Sequence, residues 1–137
     1  MISCRFCSIA RRAELAAVVL STEGEIAFLD VSPVNPGHTL VIPRRHVSAY
    51  TELTVEEISS LALAAQRVAT VLKERLPDCV GITLSLADGE GAGQEVPHVH
   101  FHVIPRYRSD EFGWRRFGRT TDRDRLDALA TRLRIGV

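Results

Sequence analysis

Two apolar stretches, residues 17–21 and 25–31, flank Thr22-Glu23-Gly24, and the pair predicts a β-hairpin. The turn-rich run Ser32-Pro33-Val34-Asn35-Pro36-Gly37 predicts a loop. Thr39-Leu40-Val41-Ile42 then reads as a short buried strand that Pro43 ends. The strongest helical signal follows. Thr54 can cap a helix, and Glu57 three residues on completes a capping-box pattern. Ile58, Leu61, Ala62, Ala65, Val68, Ala69, Leu72 and Leu76 recur at the three-or-four spacing of one buried helical face, and Pro77 stops the pattern. Residues 80–87 read as a strand, Asp88 to Gly93 as a flexible Gly-rich loop, and residues 96–104 as a further strand closed by Pro105. Residues 109–121 are polar and irregular, with Phe112, Trp114 and Phe117 scattered among them. A last helix is expected over 122–133, with Leu126, Leu129, Ala130 and Leu133 on one face.

Short links between successive strands favour antiparallel pairing. The expected class is α+β, an antiparallel sheet with one long helix packed on it and a C-terminal helix. Residues 1–137 are expected to form one domain, with its core in 4–107 and the irregular segment and helix in 108–137.

Charge narrows the partners. Seventeen Lys and Arg balance seventeen Asp and Glu, which argues against a nucleic-acid polymer but leaves room for a small anionic ligand held by local groups. No apolar run suits a membrane span and no signal pattern opens the chain, so the cytoplasm is the expected compartment. Three cysteines, an odd count, fit a reducing compartment better than a disulfide framework. Cys4 and Cys7 form a CxxC pair, and Cys79 reads as a small core residue.

The most informative feature is His98-Val99-His100-Phe101-His102. On a strand the three imidazoles would share one face, while Val99, Phe101 and Val103 enter the core. Three neighbouring imidazoles would repel one another if protonated and need partners if buried, so stability alone explains them poorly. One metal shared by all three is disfavoured, because positions 98 and 102 would lie about 13 Å apart at ~3.3 Å per residue. A division of labour fits better, with one outer histidine for structure or metal and two for chemistry. A neutral imidazole is a good nucleophile near neutral pH and can attack phosphorus and leave again. A second histidine can donate a proton or steady developing charge. The Gly-rich loop either offers N–H groups to phosphate or simply joins two strands.

The block Gly91-Ala92-Gly93-Gln94-Glu95-Val96-Pro97-His98-Val99-His100-Phe101-His102-Val103-Ile104-Pro105-Arg106 resembles the signature of the histidine-triad (HIT) nucleotide-binding family. Cys4-Arg5-Phe6-Cys7-Ser8-Ile9 is similar to the family's opening. Phe28-Leu29-Asp30-Val31-Ser32-Pro33, followed by Gly37-His38-Thr39-Leu40-Val41-Ile42-Pro43, is similar to its second block. The resemblance implies a HIT-type α+β fold, a homodimer whose sheets join, and release of a nucleoside monophosphate, usually AMP, from phosphoramidates, dinucleoside polyphosphates or related esters. It implies that His100 attacks the α-phosphorus and becomes nucleotidylated, that His102 contacts the phosphate, and that His38 joins the relay setting the nucleophile's tautomer. Asp30 would hold the ribose hydroxyls. Phe6, Ile9, Phe28 and Val31 would wall the base, and Gly93 and Gln94 would complete the nucleotide contacts. Without the resemblance, the four apolar residues read as core, and Asp30 and His38 equally well as turn residues.

The gap in CxxC lets both thiolates reach one zinc. With His46 and His98 the pair resembles the zinc site of some bacterial members, and the resemblance implies a structural ion that orients the segment carrying His100. Two positions depart from the family pattern. Ala87 stands where relatives carry Asn or Gln, and Glu95 where several carry Ser or Thr near the leaving group. Nucleotidyltransferases with related chemistry tend to carry Gln in place of His102. The alternative of a different class is a non-catalytic purine-nucleotide-binding or scaffold protein on the same fold.

Overall fold

Alternation along two strands, β2 (Glu25–Leu29) and β3 (Thr39–Pro43), builds both faces of the sheet. The computed structural model describes residues 3–112 and 122–135. Around those strands lie α1 (Arg5–Ala10), β1 (Val18–Ser21), α2 (Val55–Arg75), β4 (Gly81–Ser85), β5 (Phe101–Arg106) and α3 (Arg123–Leu133). The five strands form one antiparallel sheet in the order β1-β2-β3-β5-β4. The class is α+β.

On one face, Ala27, Val41, Phe101 and Val103 pack against Leu61, Ala64, Ala65, Val68 and Leu72 of α2. Full burial of a Val or Leu side chain is worth about 1.5–3 kcal/mol, so this interface contributes a large share of the fold's stability. The expected capping box is present: Thr54 Oγ1 accepts the Glu57 N–H at 3.1 Å, while the Glu57 carboxylate accepts the Thr54 N–H. Ala62, expected on the buried face, is exposed, and Ala64 takes its place. On the opposite face, Ile26, Phe28, Leu40 and Ile42 pack with Cys4, Phe6, Ile9 and Ala10 of the N-terminal segment.

Several expected boundaries shift. The hairpin forms, but β2 ends at Leu29 rather than residue 31. There the Asp30 carboxylate accepts the Ser32 N–H at 2.8 Å and turns the chain. The strand expected over 96–104 begins only at Phe101, so His98 and His100 lie in the segment leading into it. Pro105 does not close that strand. β3 pairs with β5 only as far as Val103, and at Pro105 the side-chain amide of Asn35 donates to the carbonyl instead. A proline is tolerated where no ladder partner is needed. α1 was not foreseen, since six residues carry too little periodicity to read.

The C-terminal helix forms over Arg123–Leu133 with Asp122 as its cap, but Leu126, Leu129 and Leu133 on its apolar side are exposed. Phe112 lies under the Arg106 guanidinium, 5.1 Å from its centre. Trp114 and Phe117 lie outside the described residues. Cys79 is half-buried, its thiol donating to the Gly81 carbonyl. Among the described residues no helix is long and apolar enough to cross a membrane.

Candidate active site and metal centre

Register places the histidines on the α1 side of the sheet. His102 lies opposite Leu40 of β3, whose side chain belongs to the α1-facing core. Val99, Phe101 and Val103 alternate inward and are buried. His100 and His102 stack edge to face, with ring centres 4.9 Å apart, and Phe6 sits 5.1 Å from His100. Because α1 is short, it covers only part of this face. The uncovered part is a cavity of about 490 Å³ whose lining includes Phe6, Ile9, Phe28, Asp30, Val31, His38, Gly93, Glu95, His100 and His102. Its size suits a small organic ligand.

Hydrogen bonds assign the tautomers. His100 Nδ1 lies 2.8 Å from the His98 carbonyl, which can only accept, so Nδ1 carries the proton and Nε2 the lone pair. Among the described residues no side-chain polar atom is buried without a partner. Among those residues His100 Nε2 has none, and His100 lines the cavity. The Val34 N–H donates to His38 Nδ1 at 3.1 Å, which leaves the proton on His38 Nε2. That nitrogen lies 2.9 Å from His102 Nδ1 and donates to it, so the His102 proton sits on Nε2. The chain Val34–His38–His102 thus ends in a donor, next to a lone pair on His100.

His38 therefore meets His102 directly, and the group holding the tautomer of His100 is the His98 carbonyl. Burial lowers the basicity of His38, although Asp30 nearby works in the opposite direction. Burial, with His100 and His38 adding to it, brings His102 down from 6.5 to about 4. His102 is neutral near pH 7 and keeps its single Nε2 proton.

Asp30, His38 and His102 are close enough to be considered as metal ligands. The Val34 N–H occupies the His38 Nδ1 lone pair and forces a proton onto the nitrogen a metal would need. Asp30 Oδ2 stands 3.6 Å from that nitrogen, as part of a proton-holding chain.

The second group, Cys4, Cys7, His46 and His98, has its four donor atoms within 4.8 Å of one another. His98 Nδ1 is 3.5 Å from Cys4 Sγ and 3.6 Å from Cys7 Sγ, and His46 Nδ1 is 3.2 Å from Cys7 Sγ. A tetrahedral zinc, with bonds of about 2.3 Å to sulfur and ~2.0–2.1 Å to nitrogen, requires S···N edges of about 3.5 Å. The tautomers also fit. His98 Nε2–H donates to the Pro43 carbonyl at 2.8 Å, and His46 Nε2 lies 3.3 Å from Ser48 Oγ, which itself donates to the Pro97 carbonyl. Both Nδ1 lone pairs therefore point at the thiols, with the outer nitrogen bonded away as in metal-ligating histidines.

Of the two readings of the Gly-rich loop, the internal bonding favours the one that joins strands. The N–H groups of Ala92, Gly93 and Gln94 bond to carbonyls within the loop, and that of Gly89 to Gln94 Oε1. Gly93, at φ +95°, lines the cavity, but Gln94 does not: its amide nitrogen donates to the Ser48 and Val96 carbonyls. Asp88 likewise turns to the Tyr50 N–H. Cavity residues beyond those expected from the sequence include Leu40 and the exposed Leu15; neither has a polar signature to mark it.

The fold and this arrangement of histidines define the HIT domain, whose sequence model matches residues 11–109. The chain belongs to the HIT family. It is 41% identical over 107 residues to a HIT-like protein of Methanocaldococcus jannaschii, a match covering 78% of this chain and 81% of that one. It is 44% identical over 93 residues to a bis(5'-adenosyl)-triphosphatase of Dictyostelium discoideum, covering 68% and 62% of the two chains. Among solved structures, a zinc-bound histidine triad family protein from Mycobacterium smegmatis superposes with a TM-score of 0.76 at 34% identity, over 96% of this chain and 95% of the other.

Proposed function

We propose that this protein is a nucleotidyl hydrolase that releases a nucleoside monophosphate, AMP in the first instance, through a covalent intermediate on His100. The observation that carries the reading is the fixed tautomer of His100. Its Nδ1–H is tied to the His98 carbonyl, and its Nε2 lone pair is open to a nucleotide-sized cavity.

His100 Nε2 forms a bond to the α-phosphorus as the bond from phosphorus to the leaving group breaks. The leaving group departs with the bonding pair and takes up a proton. Water then attacks the same phosphorus, the nucleotide leaves with the water oxygen, and His100 recovers its lone pair. The proton released by water replaces the one consumed. His102 donates its Nε2–H to the phosphate, held in that role by His38. Hydrogen bonds aimed at developing charge from a dry, rigid site are an effective form of catalysis. Asp30 accepts the ribose hydroxyls, and Phe6, Ile9, Phe28 and Val31 flank the base. The triphosphatase relative from Dictyostelium supports a phosphoanhydride as one substrate type.

Cys4, Cys7, His46 and His98 hold a structural zinc in this reading. When bound, the ion supplies a cross-link between the N-terminal segment and the histidine segment. The family's homodimer would use β4, an edge strand that leaves Leu84 exposed. Sedimentation velocity at micromolar protein tests it.

AMP release from an adenosine phosphoramidate and from diadenosine triphosphate tests the activity. Wild type is expected to turn over at least one of them and His100→Asn neither, while both proteins still bind AMP. Binding without release by wild type would favour a non-catalytic nucleotide-binding role.

A further inference from the structure

Glu95 lines the cavity that holds His100 and His102, and it also lines a neighbouring open depression of about 590 Å³. The two hollows share Gly93 and Glu95. The other residues of the second hollow are Glu90, Gln94 and Pro97, so among the described residues no lysine or arginine lines it. Glu95 is exposed and forms no hydrogen bond or ion pair among the described residues, so its carboxylate is available to a ligand. The cation in the first hollow, Arg5, is already paired with Glu14 at 2.7 Å.

Displacement at phosphorus sets the directions. The attacking and leaving atoms lie roughly in line, on opposite sides of the phosphorus. The apolar walls of the first hollow, Phe6, Ile9, Phe28 and Leu40, take the nucleoside. The second hollow opens from the rim where Glu95 stands and offers a leaving group room outside the nucleoside walls. A polyphosphate leaving group would carry several negative charges against that carboxylate. A leaving group bearing an ammonium would be drawn to it.

Resting on the hydrolase reading above, we propose that Glu95 is a specificity-determining residue that selects cationic amine leaving groups and discriminates against polyphosphates. The substrate class is then a nucleoside phosphoramidate of an amine carrying a second, protonated amino group. Because the carboxylate is exposed, the discrimination is modest, about two- to fivefold, and shrinks with added salt.

The test uses three substrates sharing AMP: the amidate of 1,3-diaminopropane, the amidate of propylamine, and diadenosine triphosphate. kcat/KM is measured at low and high ionic strength for wild type, Glu95→Gln and Glu95→Lys. Wild type is expected to favour the diamine amidate over the propylamine amidate by about two- to fivefold at low salt. Glu95→Gln brings that ratio close to one, and Glu95→Lys reverses it while raising the relative rate on diadenosine triphosphate. An active enzyme whose ratios are the same in all three proteins overturns the role of Glu95 alone. No AMP release from any substrate overturns the hydrolase reading, and this inference with it.

Discussion

His98 and His100 are joined by more than sequence: the His98 carbonyl accepts the Nδ1–H of His100 at 2.8 Å, while the His98 imidazole reaches Cys4 Sγ at 3.5 Å and Cys7 Sγ at 3.6 Å. One residue therefore belongs to both centres. Its side chain faces the candidate metal site, and its main chain holds the candidate nucleophile in the tautomer that leaves Nε2 free.

Wild type purified without added metal is expected to carry about one zinc per chain by elemental analysis, and Cys4→Ser much less. Losing the cross-link is expected to cost at least about 3 kcal/mol, in the range of large single-site effects. The melting temperature should fall by roughly 10 °C for a domain of this size. A zinc-free wild type of unchanged stability relative to Cys4→Ser would contradict the metal assignment.

Acid should destabilise the protein through His38 and His102. Burial holds both below the ordinary histidine value, His102 at about 4. Between about pH 6.5 and pH 4 the unfolded chain therefore binds more protons than the folded one, and stability rises with pH. The contribution is full above about 6.5 and is lost as pH falls through that window, by no more than ~1.4 kcal/mol per pH unit for each proton. Denaturant midpoints at pH 7.5 and 5 should show this drop, and His102→Gln should reduce it. A His102 ring proton titrating near 6.5 by NMR would contradict it.

Gly37, at φ +97°, sets His38 in place. A Cβ there would meet Leu76 Cδ1 at 2.8 Å and Pro105 Cγ at 3.1 Å. Gly37→Ala combines a strained backbone with overpacking, and is expected to cost about 1–3 kcal/mol. The melting temperature should fall by several degrees, and turnover should fall with the disturbed His38–His102 bond. An unchanged melting temperature would show that the loop relaxes freely.

What could be read in advance followed from local rules. The α2 cap at Thr54 and Glu57, the Thr22–Gly24 turn and the inward alternation of Val99, Phe101 and Val103 each depend on a few neighbouring residues. The partners of His98 do not, and it is the resemblance to a family zinc site, not a local rule, that groups it with Cys4 and Cys7. Its Nε2–H goes to the Pro43 carbonyl and its Nδ1 faces Cys4 and Cys7, all distant in sequence. The Val99 N–H goes to the Val47 carbonyl, so the segment bends away from the ladder before β5 begins. A strand pattern in the sequence cannot show that diversion. The side-chain partners of Gln94 are equally hidden from the sequence: its amide bonds to Gly89, Ser48 and Val96. The apolar side of α3 was legible as periodicity, but periodicity does not say what covers it.

The central claim is covalent transfer through His100. The most direct measurement is intact-protein mass after acid-free quenching with an adenosine phosphoramidate, for wild type, His102→Ala and His100→Asn. An added AMP mass on wild type or on His102→Ala, absent from His100→Asn, is the predicted result. No adduct on any protein, together with no released AMP, would contradict it and leave the histidine cluster as a binding site.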